Sequence, residues 1–266
     1  MGLILNRIRV FSLCFRERFR QGMPEVVGPI DREVLFILDG VGGFQWLPLL
    51  IRRVWRQSDA PIGTIVYVWQ CGLTGEMLTD LMWLRRNRYQ SAQIARKLLA
   101  FKRANPRTTV HLLGYSGGAG LAVFACEQLR GRRVIDTLVL IAPALSPGYN
   151  LAGALSATQR CYGLVSRKDR WMVGLGTRLF GTIDRRFERS AGCVGFRIPP
   201  RLNEQDLQSY RRYREIGWSD ALQQIGHHGG HTGWMAPAFL HTHLLPILRG
   251  EPRLPAYDLQ SPEPHE

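Results

Sequence analysis

One serine in this sequence stands in a setting that can make it a nucleophile. Ser116 is the centre of GYSGG (residues 114–118), which follows a short apolar run and precedes apolar residues at helical spacing. A serine at a tight strand-to-helix turn projects its hydroxyl clear of the backbone, and glycines keep the surroundings free of bulk. At the start of the helix, the Gly117 amide would point towards a developing oxyanion. The string alone also fits an ordinary glycine-rich turn, but its flanks favour the nucleophile.

An acidic side chain follows a later predicted strand. Asp169 comes shortly after the run 160–166 (RCYGLVS), and catalytic groups gather at the carboxyl edge of open α/β sheets. We therefore predict Asp169 as the catalytic acid. A turn aspartate that caps the following segment is the alternative interpretation, and Asp184 is a competing acid at a less regular position.

A histidine-rich loop precedes the predicted terminal helix. The segment 226–234 reads GHHGGHTGW, and a histidine on such a loop can swing over the nucleophile's edge of the sheet. His231 is the predicted base, with His228 and His227 as alternates. His228 and His231 could also be read as a metal pair, but no third ligand or carboxylate stands near them, so we expect no metal site.

A glycine-rich loop follows the first predicted strand. The segment 38–44 reads LDGVGGF, without the GK[ST] of a phosphate-binding loop or the GxGxxG spacing of a dinucleotide site. In a serine hydrolase the same position supplies the second oxyanion donor from a backbone amide. We assign that donor to Val41, with Gly40 and Gly42 as neighbours that could supply it instead. A plain strand–helix connection is the simpler alternative.

Continuous apolar runs alternate with helical patterns along most of the chain. This alternation is typical of a mostly parallel α/β sheet with helices on both faces. The predicted strands are 33–38, 64–69, 110–113, 136–141, 160–166 and 192–198. The predicted helices are 45–56, 92–101, 151–155 and 235–248, besides the one after the serine. We expect a glycine-rich loop at 173–183 beside the cleft, and the short crossover after residue 141 argues against a large cap domain.

Composition sets limits on the architecture and the partners. The 266 residues, 45% of them hydrophobic, suit one substantial core. We divide the chain into a basic amphipathic segment with its connector (1–29), one α/β domain (30–250) and a proline-rich tail expected to be disordered (251–266). The net charge of +14 favours acidic partners, but no motif predicts specific nucleic-acid binding. Five scattered cysteines form no CxxC pair, which favours reduced thiols in the cytoplasm.

The first 21 residues form a basic amphipathic pattern. Apolar positions 4, 8, 11, 15 and 19 fall on one helical face, and the arginines lie mostly elsewhere. The stretch is too short and too charged to span a bilayer, and it lacks a signal-peptide cleavage site. It predicts either a helix on an anionic membrane surface, with the protein peripheral at the membrane, or a helix packed on the edge of the domain.

Serine, aspartate and histidine occur in the order 116, 169 and 231, and predicted strands precede the first two. With this order, the chain resembles the α/β-hydrolase superfamily, in its lipase and esterase-like branch, over residues 34–248. The resemblance rests on LLGYSGGAG, LDGVGGF, SRKDRW and GGHTGWM. The sequence departs from the family at Asp39, where many relatives carry histidine before the oxyanion glycine.

The resemblance implies an α/β-hydrolase fold and a reaction. His231 would take the proton of Ser116, which attacks the carbonyl of a small-molecule or lipid ester, while Asp169 holds the imidazole tautomer. The amides of Val41 and Gly117 would stabilise the oxyanion, and water would release the acyl group without any cofactor. An acyltransferase, thioesterase or peptidase could use the same triad. A catalytically silent hydrolase fold that binds a membrane or a protein is the alternative from a different class.

Overall fold

The computed structural model describes residues 25–57, 62–71 and 77–259. Within these ranges, one seven-stranded sheet runs through the molecule in the order β1-β3-β2-β4-β5-β6-β7. Its strands are β1 (Val26–Val27), β2 (Glu33–Leu38), β3 (Gly63–Val66), β4 (Thr109–Tyr115), β5 (Ile135–Ile141), β6 (Thr158–Val165) and β7 (Tyr213–Gly217).

Neighbouring strands are parallel throughout, except that β1 pairs antiparallel with β3. Along β4, at the centre of the sheet, Leu112 pairs with Phe36 on one side and with Leu138 on the other. All three side chains are buried. Both faces of the sheet are covered, which explains why these strands read as continuous apolar runs rather than as alternating ones.

Helices pack on both faces of the sheet. In the described ranges the α-helices are α1 (Trp46–Arg56), α2 (Met77–Met82), α3 (Leu84–Ala104), α4 (Gly117–Gln128), α5 (Ala152–Ser156), α6 (Thr177–Phe180), α7 (Ala191–Val194), α8 (Glu204–Ser209), α9 (Pro237–Phe239) and α10 (Leu245–Arg249). One core layer contains Leu98 of α3 and Phe124 of α4, and the other contains Leu50 of α1 and Phe239 of α9. The predicted fold class, a mostly parallel α/β sheet with helices on both faces and no large cap domain, is confirmed.

The last strand does not lie where the sequence predicts it. Segment 192–198 contains part of α7 and a glycine, Gly195, at φ 81°. Its backbone is tied to loops at the sheet edge, because the Ser166 amide donates to the Gly192 carbonyl and the Gly192 amide to the Pro143 carbonyl (both 2.9 Å). The segment is apolar because it is buried against those loops. The strand at this edge of the sheet is β7. Its sequence, YREIG, contains polar residues and so does not read as an apolar run.

Two further segments differ from their predictions. The expected loop at 173–183 is largely helical, with a π-helical turn over Trp171–Gly176 that continues into α6. Strand β3 ends at Val66, before the predicted end at residue 69. Beyond this point Trp69 is buried and its indole nitrogen donates to the Asp39 carbonyl (2.8 Å), so the end of the predicted strand packs on the loop after β2.

The structure describes the two terminal segments of the predicted domain division only in part. Tyr257 pairs with Glu215 of β7 through reciprocal backbone hydrogen bonds of 2.8 Å, and the disorder of the tail stays a prediction. Residues 260–266 and the basic segment 1–21 lie outside the described residues, and the membrane role of that segment stays a prediction. No helix in the described ranges is long and apolar enough to cross a membrane.

Candidate active site

The turn between β4 and α4 holds Ser116 in a strained backbone conformation. Its φ of 54° and ψ of −118° lie outside the regions that L residues commonly adopt. Three backbone hydrogen bonds fix this conformation. The Ser116 amide donates to the Ile141 carbonyl (2.8 Å), and the Ser116 carbonyl accepts from the amides of Ala119 and Ala144 (both 3.1 Å). Ser116 thus stands on a sharp strand-to-helix turn at the carboxyl end of β4.

Gly114 lets β4 and α4 approach each other, and Gly118 lets α4 approach the end of β2. A Cβ atom on Gly114 would lie 2.5 Å from the Ala119 Cα, and one on Gly118 would lie 2.3 Å from the Leu38 carbonyl oxygen. Both distances are far below van der Waals contact, and both neighbours are backbone atoms. The close approach that the sequence pattern implies therefore depends on glycine at both positions.

The structure brings Asp169 and His231 together. His231 Nδ1 lies 2.5 Å from Asp169 Oδ2, and the two residues are only 5% and 3% exposed. A carboxylate at Nδ1 favours the tautomer that carries its proton there, which leaves Nε2 free to accept a proton. The competing acid, Asp184, instead accepts hydrogen bonds from the amide (2.9 Å) and the hydroxyl (2.5 Å) of Ser146, and so anchors the loop after β5.

Tyr115 links His231 to the nucleophile turn. The two rings lie with their centroids 4.9 Å apart, and the Tyr115 hydroxyl donates to the His231 carbonyl (3.3 Å). Because Tyr115 directly precedes Ser116, this contact holds the imidazole beside the turn.

The alternate histidine His227 has a packing role. Its ring lies against Trp234, with centroids 4.2 Å apart, and its Nδ1 accepts a hydrogen bond from the Gly229 amide (3.1 Å). Burial, with a smaller contribution from the neighbouring His228, lowers the pKa of His227 to about 3. His227 is therefore a neutral side chain within an aromatic cluster.

The glycine loop after β2 lies directly against the nucleophile turn. A Cβ atom on Gly40 would lie 3.5 Å from the Ser116 Cβ, and one on Gly117 would lie 2.8 Å from the Val41 Cγ1. The two backbone segments that the sequence assigns to an oxyanion site are thus in contact with each other beside Ser116.

The hydrogen bonds of this loop distinguish between its amides. The Gly40 amide donates to the Asp39 carboxylate, and the Gly42 amide donates to Asp80 Oδ2 (2.9 Å). Within the described part of the chain, no hydrogen bond engages the Val41 amide. Of the three candidates left open by the sequence, Val41 is the one whose N–H stays available to a ligand.

Sequence reasoning missed two residues that hold this loop. Asp80, fully buried on α2, accepts from the amides of Gly42 (2.9 Å) and Cys71 (2.8 Å). The side-chain amide of Gln70 donates to the Gly40 carbonyl (2.6 Å). A lone acid inside the apolar run MLTDLM is a signal that could have identified Asp80, because an isolated buried carboxylate needs donors. Nothing in the sequence marks Gln70.

Asp39, the position that departs from the family pattern, caps α1. Its carboxylate accepts from the amides of Gly40, Trp46 and Leu47, and so satisfies donors that a helix N-terminus leaves free. Burial raises the pKa of Asp39 to about 7, against the opposing effect of the three amide donors.

We expect Asp39→Asn to change how stability depends on pH. The folded pKa of about 7 lies above the value of about 3.9 for an unfolded aspartate, so the folded chain holds an additional proton between these values. The contribution of Asp39 to the free energy of unfolding is therefore full below about pH 4 and is lost as the pH rises through about 7. Urea unfolding should show a larger wild-type advantage at about pH 5 than at about pH 8. The opposite order would mean that the three amides hold Asp39 as an anion.

No group of three or more His, Cys, Asp or Glu side chains within the described ranges could hold a metal ion. His228 and His231, the pair for which the sequence predicts no metal site, belong to no such group. His231 is instead engaged by Asp169.

Comparisons with known proteins find similarity among solved structures. No protein-family model matches it, and no curated protein does. It is similar to the solved structure of Est1E from Butyrivibrio proteoclasticus (9% identity, 84% of this chain and 90% of that one, TM-score 0.46). It is also similar to a predicted CIB-like hydrolase from Thermoplasma acidophilum (12%, 84% and 86%, 0.42) and to a lipase-esterase related protein from Clostridium acetobutylicum (10%, 85% and 96%, 0.40).

At such identities and TM-scores, these likenesses carry no argument about activity, and the fold is assigned from the chain's own topology. The parallel strands, the strand–Ser116–helix turn and the glycine loop beside it have the arrangement that these elements take in the α/β-hydrolase fold. In this arrangement of strands, turn and loop, the chain has an α/β-hydrolase fold.

Proposed function

We propose that this protein is a serine hydrolase that cleaves acyl esters through Ser116, Asp169 and His231. The observation that carries the proposal is the buried 2.5 Å contact between His231 Nδ1 and Asp169 Oδ2, held by Tyr115 next to a strained serine. A buried acid–imidazole pair contributes little to stability that well-packed apolar side chains of similar volume would not supply. Beside a serine at φ 54°, it supports nucleophilic catalysis.

In the proposed reaction, His231 Nε2 takes the proton from the Ser116 hydroxyl as the oxygen attacks the ester carbonyl. Asp169 keeps the imidazole oriented and stabilises the imidazolium that forms. The amides of Val41 and Gly117 would donate to the oxyanion, and each such donor is worth about 3 kcal/mol in comparable sites. His231 then protonates the leaving alcohol, and a water molecule activated by the same imidazole releases the acyl group from Ser116.

Covalent labelling tests this proposal. A fluorophosphonate should label the wild type on Ser116, and Ser116→Ala should take no label, because the probe reacts only with an activated serine. Circular dichroism should show the same fold for both proteins. If the folded wild type remains unlabelled, the catalytic proposal fails and the silent hydrolase fold replaces it.

A matched substrate series then identifies the bond. A p-nitrophenyl ester, a thioester and an anilide with the same acyl chain present one acyl group to the same pocket. We expect the ester to turn over fastest. A faster thioester or anilide would replace the esterase assignment with a thioesterase or an amidase on the same residues.

A further inference from the structure

One helical stretch next to the proposed site carries its apolar side chains outward. Five large apolar residues between positions 171 and 180 are exposed, and Trp171 and Leu179 are 75% and 61% exposed. We call these five residues the apolar rim, which consists of Trp171, Met172, Leu175, Leu179 and Phe180. Single exposed apolar residues are common on protein surfaces. Five of them within ten residues of one helical stretch form a patch, and such a patch marks an interaction surface.

Buried side chains and hydrogen bonds hold the helical stretch on the protein. The exposure of its outward side chains is therefore not a result of loose packing. Its inward residues are small or medium in size, with Val173 and Thr177 buried. The Ser190 amide (3.0 Å) and hydroxyl (3.1 Å) both donate to the Val173 carbonyl, and the Thr177 hydroxyl donates to the same oxygen (2.8 Å). The stretch therefore presents a fixed apolar face.

The helical stretch that carries the apolar rim packs close to the turn that holds Ser116. Val173 forms a small buried cluster with Ala144 and Cys193, and the Ala144 amide donates to the Ser116 carbonyl (3.1 Å). The cluster beneath the rim is therefore hydrogen-bonded to the backbone of the proposed nucleophile. Leu81 of α2 packs on the same cluster.

Helix α2 extends the exposed apolar surface across this cluster. Its residues Leu78 and Met82, and Trp83 directly after it, are 46%, 42% and 54% exposed. Because α2 and the helical stretch of the rim both pack on the cluster around Ala144, the exposed apolar side chains of both lie near this cluster.

Arginines line two adjoining cavities beside the rim. The first, of about 460 Å³, is lined by Arg167, Arg170 and Arg189 together with Cys193 and Val194. The second, of about 420 Å³, shares Arg189 and Val194 and adds two more arginines and one acid, which are Arg178, Arg197 and Glu188, besides Phe187.

None of these five arginines forms an ion pair with a carboxylate in the described part of the chain. A guanidinium binds phosphate through two parallel hydrogen bonds. The cavities therefore offer unpaired donors of the kind that phosphate groups require, on a chain whose net charge is +14.

We propose that the apolar rim and these arginines together bind the surface of an anionic phospholipid membrane. Trp, Leu and Phe side chains enter the boundary between headgroups and acyl chains, and the arginines at their edge bind lipid phosphates. A protein partner with an apolar surface would match the rim, but it would leave the unpaired arginine cavities without a role. The surface binds lipid whether or not the protein is an enzyme. If the proposed function is also correct, the ester that reaches Ser116 belongs to a membrane lipid.

Vesicle binding by the full-length protein tests this surface. The Ser116→Ala background prevents lipid hydrolysis, and the vesicles contain phosphatidylcholine alone or mixed with phosphatidylglycerol. We expect binding to the anionic vesicles, weakened by salt, and a loss of about tenfold or more both in Trp171→Ser/Leu179→Ser and in Arg167→Gln/Arg170→Gln/Arg189→Gln.

Matched controls lie on other parts of the molecule. Leu207→Ser removes an exposed leucine on α8, and Arg132→Gln/Arg133→Gln removes two exposed arginines before β5, at the opposite edge of the sheet from Asp169. Both controls should bind as the wild type does. Equal binding by the rim variants, or equal losses in the controls, would overturn the proposal.

Tryptophan quenching by brominated phosphatidylcholine–phosphatidylglycerol vesicles adds a local readout. Residues 1–24 contain no tryptophan, so quenching reports on the remainder of the chain and not on the basic N-terminal segment. Trp171→Phe should remove a large part of the quenching. The wild type could instead fail to bind the vesicles while the rim variants differ from it in oligomeric state. In that case the rim is a protein interface and the lipid proposal is wrong. Fluorophosphonate labelling in lipid-free solution tests the esterase separately.

Discussion

Replacing His231 with alanine should lower the turnover of an activated ester by roughly 10⁴- to 10⁶-fold. In the proposed mechanism His231 is the base that takes the Ser116 proton, and a serine hydroxyl without such a base is a weak nucleophile at neutral pH. The residual rate would come from substrate binding and from the amides of Val41 and Gly117. Initial rates with a p-nitrophenyl ester, together with the rate of fluorophosphonate labelling, measure the loss.

His228→Ala is the matched control for this change. His228 stands three residues away on the same loop, so a general disturbance of that loop would affect both variants. We expect His228→Ala to keep its rate within a few-fold of the wild type. A normal rate in His231→Ala with a large loss in His228→Ala would move the base to residue 228.

Asp169→Asn probes the acid of the same pair. An amide in place of the carboxylate can donate to Nδ1, which favours the wrong tautomer, and the rate should fall by about 10⁴-fold at neutral pH. A role in folding alone predicts reduced stability with a normal rate for the folded fraction. Comparing the rate per folded molecule, with urea unfolding as the measure of folding, separates these two outcomes.

The candidate residues could be identified from the sequence because each is attached to a local pattern. Ser116 follows a buried strand and precedes an apolar helix, and Asp169 follows another strand. Parallel strands deliver their carboxyl ends to one edge, so strand order alone brings such residues near each other. His231 follows no strand, and its contact with Asp169 depends on the path of the loop after β7.

Tertiary contacts produce the features that the sequence does not reveal. Segment 192–198 reads as a strand because it is apolar, yet it is buried against loops and turns at Gly195. Strand β7 is polar in sequence and is stabilised by its neighbours on both sides, including Tyr257. Asp80 and Gln70 act on the oxyanion loop from positions about 30 to 40 residues later in the chain, a distance over which local periodicity carries no information.

The exposed apolar side chains of residues 171–180 are another feature that the sequence does not reveal. The glycines of this segment, in VGLG, indicate a loop by composition, but the Gly174 position is one where a Cβ would lie 3.2 Å from the Asp169 carbonyl oxygen. Glycine there permits close packing of a helical turn. Which side chains remain exposed follows from that packing and not from the pattern of the sequence.

Gly118→Ala should destabilise the protein by about 3 kcal/mol or more. The new Cβ would lie 2.3 Å from the Leu38 carbonyl oxygen and 2.4 Å from that of Asp39. Neither oxygen can yield without moving the end of β2, which β4 holds in register through the pairing of Leu38 with Gly114. Urea unfolding measures the change.

Gly148→Ala provides the control, because no atom lies within 4 Å of its added Cβ; it should change stability by no more than about 0.5 kcal/mol. Any Gly118→Ala that folds has a displaced Leu38–Asp39 backbone, and this backbone carries the loop with the Val41 amide. The folded fraction should therefore react more slowly with fluorophosphonate than Gly148→Ala does. Equal stability and equal labelling of the two variants would mean that the helix can move away from β2 at little cost. In that case the glycine at 118 would have no part in bringing the oxyanion loop to Ser116.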